Sequence, residues 1–203
     1  FYKLVLSDGT KVWLNADSEL KYPVRFVGGK REVYLKGEGY FQVSKDSCRQ
    51  FIVHLQNSEI TVLGTAFNVS AYEDEAHVYT TLEEGRVVFY SRQNKQRILL
   101  KPGMQSDMEV ATGKTVVSEV DPSLYSAWIE GRFVFQSLDL ESILRQLQRW
   151  YDFEVFFQQQ EVKNYRFRGV LSRDMDIRQA LDIIEETTDL KFDIKGKTIL
   201  VRK

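Results

Sequence analysis

The sequence predicts an all-β domain, a sandwich or a wound β stack of short strands, followed by a small α+β domain. In the first part, short runs of alternating apolar and polar residues are separated by turn-forming residues at nearly every gap. Apolar stripes with helical spacing appear only after Asp121-Pro122. We therefore expect an all-β domain at 1–120, a linker at 121–130 and an α+β domain at 131–203.

Length and composition are typical of a globular protein. The 203 residues are 43% hydrophobic and 28% charged, and one large or two modest domains of this size can bury a core. The formal net charge of −1 gives no bulk attraction to nucleic acid or anionic lipid. Cys48 is the only cysteine, which excludes an internal disulfide. No apolar run is long enough to span a bilayer, and the start at Phe1 leads us to expect a segment of a longer protein.

The most informative run of the first domain is 59–72. Its apolar residues alternate on one parity up to Val62 and on the other from Phe67 onward. The phase changes across Leu63-Gly64-Thr65, where glycine allows a bend or a bulge. The run has no nucleophile, metal ligand set or phosphate loop, which indicates that function lies on a surface. The predicted strands of this domain are 10–14, 31–35, 40–43, 51–55, 60–63, 67–72, 77–82, 87–90, 98–100 and 116–120.

The second domain is predicted as β-α-β followed by β-α-β-β. Asp139 is expected to cap a helix at 140–151, and Asp176 a second helix, where Gln179 fits a capping-box variant. The two repeats of about 35 residues are too small to be stable alone and should share one core. Each helix is long enough to cross over a small sheet. The predicted strands are 128–136, 153–157, 165–171, 192–194 and 199–201, the last two forming a hairpin.

Candidate catalytic and metal-binding residues are few. The only histidines, His54 and His77, show no recognised ligand spacing, and we expect both to face solvent. Glycoside hydrolysis needs two facing carboxylates roughly 5 to 9 Å apart, whereas adjacent strand residues point to opposite faces. Of the pairs Glu83-Glu84 and Glu185-Glu186, we interpret Glu84-Gly85 as a turn and Glu185-Glu186 as the solvent side of a helix. No catalysis, metal or cofactor is expected.

A periplasmic or surface glycan-binding β-sandwich is the alternative function. Trp13 lies on the polar parity of its strand and is available for contact, whereas Trp150 belongs to an apolar helix stripe and should be buried. Saturable binding of an oligosaccharide that is lost on Trp13→Ala would favour this alternative. A third possibility, a glycosidase-like enzyme, requires a cleft with two facing carboxylates.

Several linked motifs, in order along the chain, resemble the periplasmic part of a FecR-family anti-sigma regulator. The resemblance covers nearly the whole chain, and the ordered set is far more specific than any single motif. The motifs of the first domain are Leu6-Ser-Asp-Gly-Thr-Lys-Val-Trp-Leu-Asn15, Gly37-Glu-Gly-Tyr-Phe-Gln-Val43, Val62-Leu-Gly-Thr-Ala-Phe-Asn-Val69, Leu82-Glu-Glu-Gly-Arg-Val87 and Leu100-Lys-Pro-Gly-Met-Gln105. Those that resemble the family's small C-terminal domain are Ala127-Trp-Ile-Glu-Gly-Arg-Phe-Val-Phe135, Arg149-Trp-Tyr-Asp152 and Thr187-Thr188.

The resemblance implies a function that composition does not show. Members of this family cross the inner membrane once, and a cytoplasmic N-terminal segment binds an extracytoplasmic-function sigma factor. The periplasmic part receives a signal from the N-terminal domain of a TonB-dependent outer-membrane transducer, and regulated proteolysis then releases the sigma factor. The C-terminal repeat resembles the short N-terminal domain of secretins and TonB-dependent transducers. Without the sigma-binding segment and the membrane helix, this periplasmic chain is expected to relay the signal but not to hold the sigma factor.

The expected partner surface lies in the second domain. Tyr165 begins a strand on which Arg166 and Arg168 share one face, and Lys197 lies in the terminal hairpin turn. A basic cluster is usually a solvated face, but an exposed edge strand also offers unpaired backbone groups to a partner. We therefore predict Tyr165, Arg166, Arg168 and Lys197 as partner-binding residues. Charge reversal at the two arginines should weaken binding to the transducer domain.

Overall fold

The computed structural model describes all 203 residues, which form two compact units, Phe1–Ile129 and Glu130–Lys203. The segment expected to be a linker contains a short helix, α1 (Ser123–Ser126), and a 3₁₀ turn (Ala127–Glu130). Its residues up to Ile129 belong to the first unit, because Trp128 is buried against side chains of that unit. The change in sequence pattern near residue 121 therefore precedes the boundary between the two units, which lies after Ile129.

The first unit contains twelve strands in one curled sheet, as the predicted wound β stack requires. Their order is β10-β9-β6-β5-β4-β7-β8-β11-β12, with β2 and β3 also pairing with β4, and β1 with β2. All pairs are antiparallel except β4 with β5. The strands are β1 (Tyr2–Val5), β2 (Lys11–Leu14), β3 (Glu19–Lys21), β4 (Lys30–Gln42), β5 (Gln50–His54), β6 (Ser58–Val62), β7 (Ala66–Ala71), β8 (His77–Glu84), β9 (Val87–Ser91), β10 (Arg97–Leu100), β11 (Met104–Glu109) and β12 (Thr115–Glu119).

The long strand β4 joins the two halves of this sheet. The sequence predicts two separate strands here, but the structure has one strand of 13 residues. Its first part pairs with β3 and β5, and its second part pairs with β2 and β7. Between the two parts, Gly37 has φ +82°, and a Cβ there would lie 2.4 Å from the Ser18 hydroxyl. Glycine is therefore needed where the strand passes from one half to the other.

The predicted phase change at Gly64 corresponds to a corner between the same halves. β6 pairs with β5 and β9, whereas β7 pairs with β4 and β8. A Cβ on Gly64 would lie 2.7 Å from the Lys45 Cα, so no side chain fits at the corner. The inner faces of both halves pack into one hydrophobic core, with Phe41, Phe51 and Phe67 fully buried.

A charged group also lies inside the first unit. The Arg31 side chain is fully buried, and its Nη1 donates to Asp8 Oδ2 and to the Ser44 carbonyl oxygen, both at 2.8 Å. Its Nε and Nη2 donate to the Arg49 carbonyl oxygen at 3.2 and 2.9 Å. Asp8 in turn accepts hydrogen bonds from the backbone N–H and the hydroxyl of Thr10. This network connects the β1–β2 turn, β4 and the segment before β5.

The second unit contains five strands and two helices, in the predicted order β-α-β then β-α-β-β. β13 pairs antiparallel with β15, and a second sheet has the order β14-β17-β16, with β14 and β17 parallel. Each sheet therefore takes strands from both repeats, and neither repeat forms the crossover expected within itself. The elements are β13 (Arg132–Asp139), α2 (Leu140–Gln148), β14 (Glu154–Phe157), β15 (Arg166–Ser172), α3 (Ile177–Glu186), β16 (Lys191–Lys195) and β17 (Thr198–Arg202), with a 3₁₀ turn (Gln160–Asn164) before β15.

Both helices begin at the predicted caps and pack into one shared core. Asp139 accepts a hydrogen bond from the Ser142 backbone N–H, and Asp176 and Gln179 form a full capping box. α2 ends at Gln148, three residues before the predicted end. The strand predicted from residue 128 begins only at Arg132, because residues 127–130 form the 3₁₀ turn.

Candidate functional site

The strand that carries the two predicted arginines lies at an edge of a sheet in the second unit. β15 pairs only with β13, so its other edge has no strand neighbour. Arg166, Arg168 and Val170 are exposed along this strand, Val170 to 56%. The Arg166 Nη1 donates to the Ser137 carbonyl oxygen at 2.7 Å, which holds one guanidinium at the start of the strand. β15 therefore offers backbone groups, two cations and an apolar side chain together.

The four predicted partner-binding residues do not form one patch. Tyr165 lies directly before β15, is half-buried and accepts a hydrogen bond from Lys203 Nζ at 3.2 Å. Lys197 is exposed and forms an ion pair with Asp152. Lys197 and Lys203 lie at opposite ends of β17, which at 3.3 to 3.4 Å per residue separates them by roughly 20 Å. Lys197 is thus distant from Tyr165, which lies beside the two arginines of β15.

An exposed apolar pair lies on the outer face of the three-stranded sheet. Phe156 of β14 and Leu200 of β17 are partners in the strand register and are 55% and 37% exposed. The adjacent Arg202 and Asp193 form an ion pair at 2.7 Å. This pair was not predicted from the sequence, although Phe156 is out of phase with the core-facing Val155.

A chain of hydrogen bonds holds the 3₁₀ turn of the first unit against the sheet. Trp128 Nε1 donates to Asn68 Oδ1 at 3.1 Å, and Asn68 Nδ2 donates to Glu38 Oε1 at 2.9 Å. The other carboxylate oxygen of Glu38 accepts from Asn15 Nδ2 at 2.6 Å. Trp128 is 6% exposed and packs against Tyr40. The network satisfies its buried polar groups internally, as a structural role requires.

The carboxylate pairs do not face each other across a cleft. Glu83 accepts a hydrogen bond from the Tyr40 hydroxyl at 2.8 Å, and burial together with this bond raises the pKa of Tyr40. Glu84 forms an exposed ion pair with Lys45 at 3.8 Å. The prediction that Glu185 and Glu186 both face solvent was wrong for Glu185. Its side chain is 13% exposed and accepts a hydrogen bond from the Phe192 backbone N–H at 2.7 Å. It connects α3 to β16 and has a structural role.

The two histidines occupy separate places in the first unit. His54 stacks on Tyr34 at 4.8 Å and is only 15% exposed, so the expectation that it faces solvent was wrong. The His77 Nδ1 lies 2.6 Å from Asp107 Oδ1 and is about two-fifths exposed, as predicted. No group of three or more His, Cys, Asp or Glu side chains is placed to hold a metal ion.

The aromatic residues do not form a flat sugar platform. Trp13 is half-buried, meets Tyr40 edge to face at 5.6 Å and carries the Lys3 ammonium group over its ring at 4.9 Å. A cavity of about 400 Å³ in the same unit has Tyr34, Tyr72 and His54 as its ring-bearing lining residues. The geometry therefore gives no specific support to glycan binding.

Two family models match the chain in order. The model described as "FecR protein" matches residues 1–88, and the model described as "FecR, C-terminal" matches residues 132–201. The chain belongs to the FecR family. The C-terminal match contains all five strands of the second unit, so the free edge of β15 is part of the FecR C-terminal region.

Solved structures show the same architecture as this FecR chain. A 1.65 Å crystal structure of a candidate anti-sigma factor from Parabacteroides distasonis ATCC 8503 has a TM-score of 0.91 and 26% identity, covering 100% of this chain and 94% of that one. A 2.50 Å structure, also described as a candidate anti-sigma factor from that organism, has a TM-score of 0.90 and 26% identity, with coverages of 100% and 93%. Comparison with curated proteins gives no match.

The family sets the general role of the chain. FecR anti-sigma factors are a regulatory, non-enzymatic class that acts in signal transduction and interacts with sigma factors and other regulators. They are membrane-anchored proteins with periplasmic parts. None of the helices in this structure has the length and apolar character needed to cross a membrane.

Proposed function

We propose that this FecR chain is the periplasmic, signal-receiving part of a membrane-anchored anti-sigma regulator. It contacts the N-terminal domain of a TonB-dependent outer-membrane transducer and relays that signal by protein contact, without catalysis or a cofactor. The sigma factor is bound by a separate cytoplasmic segment of the parent protein. The observation that carries the proposal is the ordered match of both FecR models, supported by similarity to an anti-sigma factor over the whole chain.

The proposed contact is a strand of the transducer domain added to β15. An edge strand with unpaired backbone groups accepts a further strand, and neighbouring side chains provide specificity. Arg166 and Arg168 favour an acidic partner strand, while Val170 favours an apolar residue on it. Tyr165 borders the same contact. Lys197 contributes only if the partner extends along β17 to its far end.

Isothermal titration calorimetry with the transducer's N-terminal domain tests both parts of the proposal. We expect Arg168→Glu and Arg166→Glu each to weaken binding about tenfold, because reversal places like charges together at the contact. Lys101→Glu, the same charge change on an exposed side chain of the first unit, should leave the affinity unchanged. Lys197→Glu reports whether the contact reaches the terminal hairpin.

The possible results distinguish the signal-receiving role of the chain from the choice of β15 as the contact surface. Wild-type binding with unchanged affinity in both arginine variants would place the contact elsewhere on the chain. The exposed Phe156–Leu200 pair would then be tested with Phe156→Ser. Absence of wild-type binding to the cognate transducer domain would refute the signal-receiving role itself.

A further inference from the structure

The loop between β3 and β4 carries the two most exposed large hydrophobic residues of the chain. Val24 and Val27 are 90% and 87% exposed, and Tyr22 beside them is 49% exposed. Every residue from 21 to 30 is exposed except Phe26. The same ten residues include three basic residues and no acidic one. Exposed apolar groups clustered in this way mark a contact surface.

The exposure does not result from a loose loop. Phe26 points into the unit and packs against the core, with its ring 6.0 Å from the Phe51 ring. Pro23 restricts the backbone on one side of it. The buried Arg31 anchors the chain directly after the loop. The valines are therefore presented from a fixed base, so little conformational entropy remains to be lost on binding.

The positive charge of this loop is largely uncompensated. Lys21 forms an exposed ion pair with Glu19 at 3.1 Å, but no ion pair or side-chain hydrogen bond involves Arg25 or Lys30. The nearest acidic residue after the loop, Glu32, lines the same surface hollow as Arg25 and Lys30 but forms no ion pair with either. The overall charge of −1 thus conceals a local cluster in which cations flank aliphatic side chains.

We infer that this loop inserts into the interface of an anionic phospholipid bilayer. Aliphatic side chains enter the boundary between headgroups and acyl chains, while basic residues contact the anionic headgroups. Tyr22, with an apolar ring and a polar hydroxyl, is a typical residue at that depth. The high exposure of Val24 and Val27 shows that they project outward. A protein partner would need a matching pocket for them, whereas a lipid interface accommodates projecting groups.

The contribution of each basic residue gives the expected size of the change in vesicle binding. Each basic residue near an anionic surface contributes about a fivefold gain in partitioning, and the gain decreases within the Debye length. Reversing both Arg25 and Lys30 should therefore lower binding at least about 25-fold. Replacing both valines by aspartate removes the inserted apolar groups and should abolish binding.

Vesicle flotation tests the inference with the intact chain. Vesicles of phosphatidylethanolamine with about 30% phosphatidylglycerol should bind the wild-type chain, and pure phosphatidylcholine vesicles should not. Arg25→Glu/Lys30→Glu and Val24→Asp/Val27→Asp should lose binding. Binding by the wild type should fall as salt rises from about 0.1 M to about 0.5 M.

Matched controls use comparable residues elsewhere in the first unit. Lys101→Glu reverses an exposed cation, and Val116→Asp changes an exposed valine of an edge strand, so both should bind as the wild type does. Unchanged circular dichroism should show that all variants fold. Absence of wild-type binding, or equal binding by the loop variants, overturns the inference. So does loss of transducer binding in the loop variants without any vesicle binding, because the loop would then be a protein contact.

Discussion

Removing either member of the Arg31–Asp8 ion pair should strongly destabilise the first unit. The two side chains are 0% and 6% exposed, and the Nη1–Oδ2 distance is 2.8 Å. In Asp8→Ala, the guanidinium loses its carboxylate partner in a place that water does not reach. In Arg31→Met, the carboxylate and two backbone carbonyl oxygens lose their donor. Both changes leave buried polar groups unsatisfied.

The expected magnitude follows from the burial of this pair. Breaking a buried ion pair by removing one partner costs about 3–5 kcal/mol of unfolding free energy. An exposed pair at the same 2.8 Å, Lys36 with Glu73, has side chains 58% and 59% exposed, so solvent screens most of its attraction. Lys36→Ala is therefore the matched control, because the two ion pairs have the same separation and differ in burial.

Urea unfolding monitored by tryptophan fluorescence measures the difference. In a Trp150→Phe background, only Trp13 and Trp128 of the first unit report. Asp8→Ala should lower the midpoint by about 2 M with an unchanged slope, and Lys36→Ala should have little effect. An Asp8→Ala loss no larger than that of Lys36→Ala would refute the reasoning. Combining Asp8→Ala with Arg31→Met should cost less than the sum of the two single changes.

Three further predictions concern individual contacts. Trp128→Phe removes the donor to Asn68 and should lower the unfolding free energy of the first unit by about 1–2 kcal/mol, with no loss expected if that bond is unimportant. Asp176→Ala should cost the second unit about 1 kcal/mol in thermal unfolding, whereas Asp176→Asn keeps a capping oxygen and should remain near wild type. Burial opposes the charged form of Glu185, but hydrogen bonds from Phe192 and Lys191 outweigh it and lower its pKa. The stabilisation by this carboxylate is therefore complete above the ordinary pKa of 4.5 and is lost as pH falls through the lower pKa of the folded state. The unfolding free energy of the wild type should exceed that of Glu185→Gln at neutral pH, and the difference should vanish in acid. A difference that does not change with pH would contradict this.

Local features of the fold could be predicted from the sequence. The caps at Asp139 and Asp176 depend on residues only three positions away, and both helices begin where expected. The bend at Gly64 was also visible, because a change of alternation phase at a glycine indicates a bend or a bulge. These features need no knowledge of distant segments.

Pairing between distant segments could not be predicted in the same way. β14 runs parallel to β17, more than 40 residues later, and this pairing separates Lys197 from the rest of the predicted contact. Nothing in the residues of either strand specifies that partner. The burial of Arg31 did leave a signal, since its parity is that of the core residues Val33 and Leu35. An arginine on an apolar parity indicates a buried ion pair whose partner lies elsewhere.

Residues from several FecR motifs form the two polar hydrogen-bond networks of the first unit, and these networks indicate the structural role of the motifs. Asp8 and Asn15 come from one motif, while Glu38, Asn68 and Trp128 come from three others. Arg31 of β4 bonds to Asp8, Glu38 of β4 bonds to Asn15 and Asn68, and Trp128 joins through Asn68 of β7. A one-residue slip of β4 would reverse which side chains face the core and would separate these charged and amide groups from their partners. Polar groups with fixed partners thus set the strand register, which non-directional apolar packing specifies less strictly. The motifs therefore encode the registration of the scaffold, whereas the two contacts proposed above, with a partner strand and with a bilayer, involve the exposed edge of β15 and the loop before β4.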